Sequence, residues 1–173
     1  QKIESVINGL SASFKNIIAV NDGSIDSTQE ILESLNVKTL THSINLGTGA
    51  AVLTGFKYIQ QLDNADAVIT FDADGQHSSD DAVAFAKEII LCKEEVIFGS
   101  RFLKNKKNIP LIKRLVLSLV VFFTNKISNV NLSDAHNGLK AIKTSALKKI
   151  VIDIDGYGYE SQIIHEVSKK SIS

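Results

Sequence analysis

Two acidic side chains follow an apolar segment near the middle of the chain, in the sequence Asp-Ala-Asp-Gly at positions 72–75. Residues 67–71 are apolar or β-branched over the length of a strand, which predicts a buried strand ending at these acids. Side chains alternate along an extended chain, so Asp72 and Asp74 are predicted on one side, roughly 6–7 Å apart at their backbones. Two carboxylates this close repel each other unless a cation lies between them. The spacing therefore predicts a hard divalent cation, which prefers oxygen ligands.

The acidic segment has two simpler explanations. Capping of the next helix accounts for residues 78–80 but not for the acids before them. A calcium loop of the EF-hand type needs glycine at its sixth place and Glu at its twelfth, whereas here glycine is fourth and the twelfth residue is Val83. Metal binding is therefore the better interpretation, with Gln76 and His77 near enough to supply a third ligand or to support the first two.

The composition is that of one soluble globular domain. The chain has 173 residues, 44% hydrophobic and 22% charged, and a formal net charge of zero, which argues against nucleic-acid binding. One cysteine, Cys92, excludes an intramolecular disulfide and fits a reducing compartment. We see no signal peptide, and the longest apolar run, 115–123, is too short to cross a bilayer. These features predict a cytoplasmic protein.

The hydrophobic pattern alternates between helix and strand from the start of the chain to residue 101. Such alternation predicts a mostly parallel central sheet flanked by helices, with ligands at the carboxyl ends of the strands. The predicted strand ends carry Asn21 and Asp22, the two acids at 72 and 74, and Arg101, so these side chains are expected to line one cleft. The predicted order is a helix at 3–10, a strand at 16–20, a helix around 31–35, a strand at 37–41, a helix at 50–62, strand 67–71, a helix at 81–91, strand 95–99, an apolar helix at 111–128, strand 139–142, and helices at 145–151 and 159–170.

The apolar helix at 111–128 has two interpretations. It is either a core helix or a helix at a membrane surface, the latter favoured by Lys113 and Arg114 at its start and by the bulk of Phe122 and Phe123. The sequence leaves both open.

Taken together, the polar strand ends resemble those of the family 2 glycosyltransferases with a GT-A fold. The resemblance is greatest to the dolichyl- or polyprenyl-phosphate mannose or glucose synthase group, and it covers nearly the whole chain as a single domain, 1–173. A single Asp-x-Asp is weak evidence, but the ordered set of motifs is specific. The matching segments, in the family's order, are Asn21–Thr28, Asn45–Ala51, Asp72–His77, Gly99–Arg101 and Asp134–Ala141.

The resemblance implies transfer of a sugar, with inversion, from a GDP- or UDP-sugar, assisted by Mg²⁺ or Mn²⁺ and not involving nucleic acid. A cation there neutralises charge on the departing nucleotide diphosphate. The implied metal ligands are Asp72, Asp74 and Gln76, with the two acids also counted as catalytic. The implied donor-binding residues are Asn21, Asp22, Ser24, Gly47 and Asp72.

The resemblance also implies an acceptor. In the lipid-phosphate group the acceptor's phosphate is the nucleophile, and Arg101, Arg114 and Ser118 match the residues that hold it; guanidinium groups suit such a ligand. A saccharide hydroxyl would instead need a base, for which Asp134 is the candidate. A lipid acceptor implies peripheral contact with the cytoplasmic face of a membrane.

The chain departs from the family pattern in four ways. We expect a fragment, truncated before the family's first strand and at the C-terminus. The family's Gly-Lys-Gly is Gly-Thr-Gly at 47–49, which loses a cation that could face phosphate, and its Gly-Phe-Arg/Lys is Gly-Leu-Lys at 138–140.

Two other functions are weighed against this one. A dinucleotide-binding oxidoreductase would explain the glycines at 47 and 49, but Val52 replaces the third glycine and the acids at 72 and 74 stay unexplained. A catalytically inactive glycosyltransferase-like domain that binds nucleotide or a membrane partner would explain Thr48 and the missing first strand.

Overall fold

The computed structural model describes residues 2–62, 64–75, 77–100, 111–128, 130, 132–134, 137–153 and 158–173, excluding the side chains of 111–117 and 127. Helices and strands alternate in the order predicted. The elements are α1 (Lys2–Ser11), β1 (Ile18–Asn21), α2 (Thr28–Ser34), β2 (Lys38–Thr41), α3 (Thr48–Gln60), β3 (Ala67–Thr70), α4 (Ser79–Leu91), β4 (Val96–Phe98), α5 (Leu111–Ser128), β5 (Lys140–Lys143), α6 (Thr144–Leu147) and α7 (Tyr159–Lys169).

Helix α4 shows how local sequence fixes an element. The Ser78 side chain accepts a hydrogen bond from the backbone N–H of Asp80, as a capping serine does. Asp80 and Asp81 lie in the first turn, where negative charge is favourable next to the positive end of the helix dipole. Ala82 and Ile89 are buried on the face that turns inward. The capping predicted from residues 78–80 is therefore confirmed.

The sheet is described in two parts. β1 and β2 pair in parallel, from Ile18 opposite Lys38 to Asn21 opposite Thr41. In the second part β5 lies between β3 and β4 and is antiparallel to both. β3 and β4 therefore run in the same direction. The alternation of helices and strands did not predict the reversed direction of β5, because β5 returns after α5 rather than by a short crossover.

The two parts of the sheet share the same two hydrophobic clusters. Ile18 of β1 and Val68 of β3 pack against the larger cluster, which includes Phe56 and Ile163. Ile17, next to β1, and Ile69 of β3 pack against the smaller cluster, formed by Leu10, Ala82 and Leu139.

β3 contacts both clusters, and so does β1 together with Ile17, the residue before it. Within the described residues, β1 is hydrogen-bonded only to β2, and β3 only to β5. Each of these two strands therefore has one edge without a strand partner in that part of the chain.

Helix α5 packs against α7 and leaves large apolar side chains in contact with solvent. Leu119, Phe122 and Phe123 are 51%, 58% and 56% exposed, and the two phenylalanine rings form an edge-to-face pair with centroids 5.6 Å apart. α5 is thus not simply a core helix. No helix in the described part of the chain is long and apolar enough to cross a bilayer.

Candidate active site

Asp22, at the end of β1, connects three segments. Its Oδ1 accepts hydrogen bonds from the N–H of Leu46, at 2.9 Å, and its Oδ2 accepts from the N–H of Gly47, at 2.8 Å. Nδ1 of His42, just beyond β2, lies 2.7 Å from Oδ1 of the same carboxylate. Burial opposes ionisation, but the bonds from Leu46, His42 and Gly47 outweigh it, and the pKa of Asp22 lies below its ordinary value.

Asn21 and Ser24 form a turn beside Asp22. The buried Asn21 accepts a hydrogen bond from the N–H of Ser24 at 3.0 Å and donates one to Gln29 at 2.9 Å. Both functional atoms of the Asn21 amide thus have partners within the protein. The predicted contacts of Asn21, Asp22 and Ser24 with a nucleotide remain predictions; here the side chains of Asn21 and Asp22 and the backbone N–H of Ser24 shape the loop.

Two glycines let the loops after β1 and β2 approach each other. Gly23 has φ of 66°, and a Cβ added there would lie 2.4 Å from the carbonyl carbon of Ile44. Gly47 has φ of 96° and precedes the first residue of α3, which starts two residues earlier than predicted. Any other residue at position 23 would push the loops apart, because backbone atoms stand where its Cβ would be.

Asp72 lies at the carboxyl end of β3 with its side chain 42% exposed. Nε2 of His77 is 3.8 Å from its Oδ2, longer than a well-formed hydrogen bond but close enough for electrostatic attraction. His77 has the largest effect on the pKa of Asp72, and with the charge of Lys140 it lowers that pKa although burial acts in the opposite direction. Asp72 is therefore ionised at neutral pH and open to solvent on one side.

Asp74 lies on a turn rather than on a continuation of the strand. β3 ends at Thr70, residues 73 and 74 form a turn, and Gly75 has φ of 80°. Extending the strand alternation to place both carboxylates on one side was therefore wrong, because the chain is no longer extended there. The Asp74 side chain is exposed, and its backbone carbonyl accepts a hydrogen bond from Nζ of Lys2 at 3.2 Å.

The segment 137–140 lies beneath Asp72. A Cβ added to Gly138 would fall 1.8 Å from Oδ2 of Asp72 and 2.3 Å from its Cγ. The carboxylate therefore lies directly on the glycine. Thr70 connects the same two chain segments, because its hydroxyl donates to the carbonyl of Gly138 at 2.5 Å and accepts from the N–H of Lys140 at 3.1 Å.

A buried charged group lies next to this contact. Lys140 is 1% exposed, and its Nζ donates to the carbonyl of Asn137 at 2.6 Å and to Oε1 of Glu160 at 3.0 Å. The hydroxyl of Tyr159 donates to the same oxygen of Glu160 at 3.3 Å. Burial, followed by the charges of Glu160 and Asp72, raises the pKa of Tyr159 beyond its ordinary range, so the phenol stays protonated as a donor.

The structure describes only some of the other predicted site residues. Asp134 is 3% exposed, and its neighbour Ser133 donates to the hydroxyl of Ser100 beyond β4 at 2.8 Å. Ser118 is exposed on α5. The structure does not bring Asp134 or Ser118 into contact with Asp72 through any described bond. Arg101 and Gln76 lie outside the described residues, as does the side chain of Arg114, although residue 114 falls within α5.

The described groups fit a divalent cation that is shared with a ligand. Among the described residues no cluster of three or more His, Cys, Asp or Glu side chains could hold a metal ion alone. Mg²⁺ is usually bound through one or two carboxylates together with substrate phosphates, so a complete protein cage is not needed. An ionised, half-exposed Asp72 with Asp74 two residues later has the donor chemistry of such a site.

Sequence reasoning gave no role to His42 or Glu160, and it named Lys140 only as part of the Gly-Leu-Lys motif at 138–140. A single histidine after a short strand carries no pattern that identifies it. Lys140 could not be recognised as buried, because lysine is almost always exposed unless paired, and its partner is 20 residues away. Glu160 falls within the helix predicted at 159–170, and the helical pattern gives it no role of its own.

Comparisons with known proteins give matches over most of the chain. A family model described as Glycosyl transferase family 2 matches residues 1–151. The chain is 36% identical over 159 residues to an uncharacterised protein of Methanocaldococcus jannaschii, covering 91% of this chain and 65% of that protein. It is 34% identical over 179 residues to the UDP-N-acetylglucosamine–dolichyl-phosphate N-acetylglucosaminyltransferase of Methanococcus voltae, covering 92% of this chain and 71% of that enzyme.

The fold matches a solved enzyme at low sequence identity. Glucosyl-3-phosphoglycerate synthase of Mycobacterium tuberculosis, solved with Mn²⁺, UDP and phosphoglyceric acid, superposes with a TM-score of 0.77 at 14% identity. The match covers 98% of this chain and 60% of that enzyme. The predicted GT-A fold is thus confirmed, while the chain spans roughly two thirds or less of two of these three proteins.

Proposed function

The chain belongs to glycosyl transferase family 2, and from that premise we propose that it transfers a sugar from a nucleotide-diphosphate donor to a polyprenyl phosphate, with Mg²⁺ or Mn²⁺ and with inversion. The observation that carries this proposal is the state of Asp72. Its carboxylate stands at the end of β3, 42% exposed, with its pKa lowered mainly by His77. An ionised carboxylate open to solvent on one side can share a cation with a diphosphate.

The metal-binding roles fall on Asp72 and Asp74, with Gln76 as a third ligand. A divalent cation bound there neutralises the negative charge that collects on the departing nucleotide diphosphate. The contribution of the protein is to hold the carboxylates ready. Asp72 rests on Gly138, and the turn at residues 73 and 74 leaves the Asp74 side chain exposed.

The donor's nucleotide is proposed to lie against the loops after β1 and β2. Asp22 ties these loops together through the N–H groups of Leu46 and Gly47. Asp22 shapes these loops, its Oδ2 can accept a further hydrogen bond from the nucleotide, and Ser24 and the exposed Thr48 are further groups open to a ligand. Asp72 contributes to donor binding through the shared cation.

A lipid phosphate is the proposed acceptor. In the reaction a phosphate oxygen forms a bond to the anomeric carbon, and the bond from that carbon to the donor's diphosphate breaks, with the electron pair leaving on the nucleotide. Attack from the opposite face inverts the configuration. An ionised phosphate needs no strong base, and this agrees with the burial of Asp134, which is 3% exposed and poorly placed to receive a proton from a saccharide hydroxyl.

Further support for a lipid acceptor comes from the relatives. The Methanococcus voltae enzyme is named for a dolichyl-phosphate acceptor, as is a Trichomonas vaginalis β-glucosyltransferase that is 31% identical over 148 residues, 79% of this chain and 44% of that enzyme. Arg101, Arg114 and Ser118 are proposed to hold the acceptor's phosphate, since guanidinium groups bind phosphate in a bidentate manner.

A membrane surface is proposed to contact α5. Leu119, Phe122 and Phe123 are each more than half exposed on this helix, and exposed aromatic and aliphatic groups of this kind insert at the boundary between lipid headgroups and acyl chains. Lys126, in the last turn, adds a positive charge suited to anionic lipid. We propose that the acceptor's phosphate binds near Ser118, which is next to Leu119 and one turn from Phe122, at the cytoplasmic face of the membrane.

The experiment that tests the proposal is calorimetric titration of the chain with GDP-mannose, UDP-glucose and UDP-N-acetylglucosamine, each with Mn²⁺, with Mg²⁺ and with chelator. We expect one donor to bind, and only with metal. Transfer is then measured by incubating radiolabelled donor with polyprenyl phosphate in detergent and extracting the lipid. Metal-dependent binding without transfer would favour the catalytically inactive alternative, and absence of binding by any donor would contradict the donor site.

A further inference from the structure

The contact between Asp72 and Gly138 joins residues 66 positions apart in the sequence. The Asp72 carboxylate lies where a Cβ at position 138 would be, 1.8 Å from Oδ2 and 2.6 Å from Oδ1. Contacts under 3.0 Å are not found for real Cβ atoms, so any side chain at position 138 would displace the carboxylate or the loop. Gly138 is not among the glycines with positive φ. Because the atoms that a Cβ would meet are the end of the Asp72 side chain, glycine at this position matters for where the carboxylate lies and not for backbone strain.

The segment under Asp72 is held from both sides. From β3, Thr70 bonds the carbonyl of Gly138 and the N–H of Lys140. From within the segment, Oδ1 of Asn137 accepts from the N–H of Leu139 at 3.0 Å. The backbone carbonyl oxygen of Asn137 accepts a hydrogen bond from the Lys140 ammonium at 2.6 Å.

The Lys140 ammonium is in turn fixed by α7. Glu160 accepts from it at 3.0 Å, and both side chains are largely buried, at 1% and 11% exposure. Tyr159 donates to Glu160 and places its ring 5.5 Å from the ammonium. Burying a paired lysine and glutamate brings little net stability compared with apolar side chains of the same size. Stability alone therefore does not explain why an ion pair occupies this position.

We propose that residues 137–140 are the seat of Asp72, with Gly138 and Lys140 as positioning residues for the carboxylate that binds the donor's metal ion. This inference rests on the proposed function. Gly138 supplies the space, and Lys140, anchored by Glu160, fixes the backbone on which the carboxylate rests.

Gly138→Ala tests whether the Asp72 carboxylate needs the space above position 138. Gly55→Ala in α3 is the matched control. A Cβ at position 55 meets only a methyl carbon of Val20, at 3.5 Å, which is ordinary van der Waals contact. We expect Gly138→Ala to weaken metal-dependent donor binding about 10- to 100-fold, the usual effect of removing support from a metal ligand. Gly55→Ala is expected to bind like the wild type, and both variants are expected to unfold cooperatively.

The role of the Lys140–Glu160 pair in fixing this backbone is tested by the double variant Lys140→Met/Glu160→Leu. It replaces the pair with apolar groups of similar size and leaves no unpaired charge. We expect this variant to fold and to lose most of the difference between donor affinities measured with Mn²⁺ and with chelator. A purely structural pair would change the midpoint of thermal unfolding and leave that difference as in the wild type, which would overturn the role of Lys140.

A readout without ligand separates this inference from the proposed function. The ¹³Cγ resonance of Asp72, recorded in metal-free protein, should move in Gly138→Ala and stay in place in Gly55→Ala. If the wild type binds no donor but the resonance moves, the seat stands and the proposed function fails. An unmoved resonance in Gly138→Ala, or undiminished metal-dependent binding by that variant when the wild type binds, would contradict the seat.

Discussion

Nδ1 of His42 lies 2.7 Å from Oδ1 of Asp22, and Nε2 of the same ring lies 2.8 Å from the hydroxyl oxygen of Thr54. Because an ionised carboxylate can only accept, Nδ1 carries the proton in this pair. The ring therefore connects the end of β1 to α3, beside the loop that Asp22 also holds through Leu46 and Gly47. One carboxylate thus organises the region where the donor's nucleotide is proposed to bind.

Asp22 should make stability depend on pH in acid. Its pKa is lower in the folded chain than the ordinary 3.8, so the unfolded chain binds more protons as pH falls. Its stabilising contribution is present above the ordinary pKa and is lost as pH falls through the folded-state pKa. Asp22→Asn should therefore cost about 1–3 kcal/mol at pH 7, since charge-assisted bonds to Leu46 and Gly47 are weakened.

Urea unfolding of wild type and Asp22→Asn at pH 7 and in acid measures this contribution. The difference between the two proteins should narrow in acid. Glu4→Gln, an exposed carboxylate on α1, provides the control and should show a small difference at both pH values. A difference for Asp22→Asn that is equal at both pH values would contradict the role of its charge.

Asp74→Ala should abolish metal-dependent donor binding without unfolding the domain. The side chain is exposed on a turn, so its loss removes a proposed metal ligand and little packing. Calorimetric titration with donor and Mn²⁺ measures the loss, and circular dichroism checks the fold. Asp80→Ala, in the first turn of α4, is the matched acidic control and should bind as wild type does. Equal binding by Asp74→Ala would remove this residue from the metal site.

The Lys140–Glu160 pair should be far more sensitive to single than to double substitution. Lys140→Met leaves Glu160 buried without its cation and should cost about 3–5 kcal/mol, whereas adding Glu160→Leu should restore part of that stability, because the buried Tyr159 hydroxyl then loses its acceptor. Lys149→Met, which breaks a partly exposed pair with Glu95, should cost less than about 1 kcal/mol. Urea unfolding gives all three values. Equal losses in Lys140→Met and Lys149→Met would mean that burial of the first pair carries no penalty.

Phe122→Ser/Phe123→Ser should reduce binding to vesicles of anionic phospholipid severalfold. The two rings are more than half exposed on α5, and they are the proposed insertion point. Co-sedimentation with vesicles measures the bound fraction. Ile90→Ser/Leu91→Ser, which removes apolar groups on α4 that are even more exposed, is the control and should leave vesicle binding unchanged. If both double variants lose binding alike, the membrane contact is not specific to α5.

The sequence predicted the type and order of the elements because each has its own local signal. Helix α5 was predicted with the bounds it has, and Ser78 was recognised as a cap from its neighbours alone. The predicted ends of helices and strands were less accurate where the geometry of a loop sets them. α3 starts at Thr48 because Gly47 adopts positive φ, and nothing in the periodic pattern carries that information.

What the sequence could not predict is decided by contacts between distant segments. The strand direction of β5 depends on how the chain returns after α5. The seat of Asp72 is formed by residues 137–140, for which the local pattern predicts only the start of another strand. The turn at residues 73 and 74 removed the geometric argument for two aligned carboxylates, so Asp72 is now a candidate ligand because of the family resemblance and its own exposure at the end of β3.

β1 and β3 each have an edge, without a strand partner in the described part of the chain, at which another molecule could pair. In the described residues each strand uses only one of its edges, and both strands carry apolar side chains on their two faces. Unpaired backbone N–H and C=O groups on such edges act as templates for extended segments of other molecules. Where these edges stay unpaired in solution, an extended peptide that is apolar on both faces is expected to pair with them.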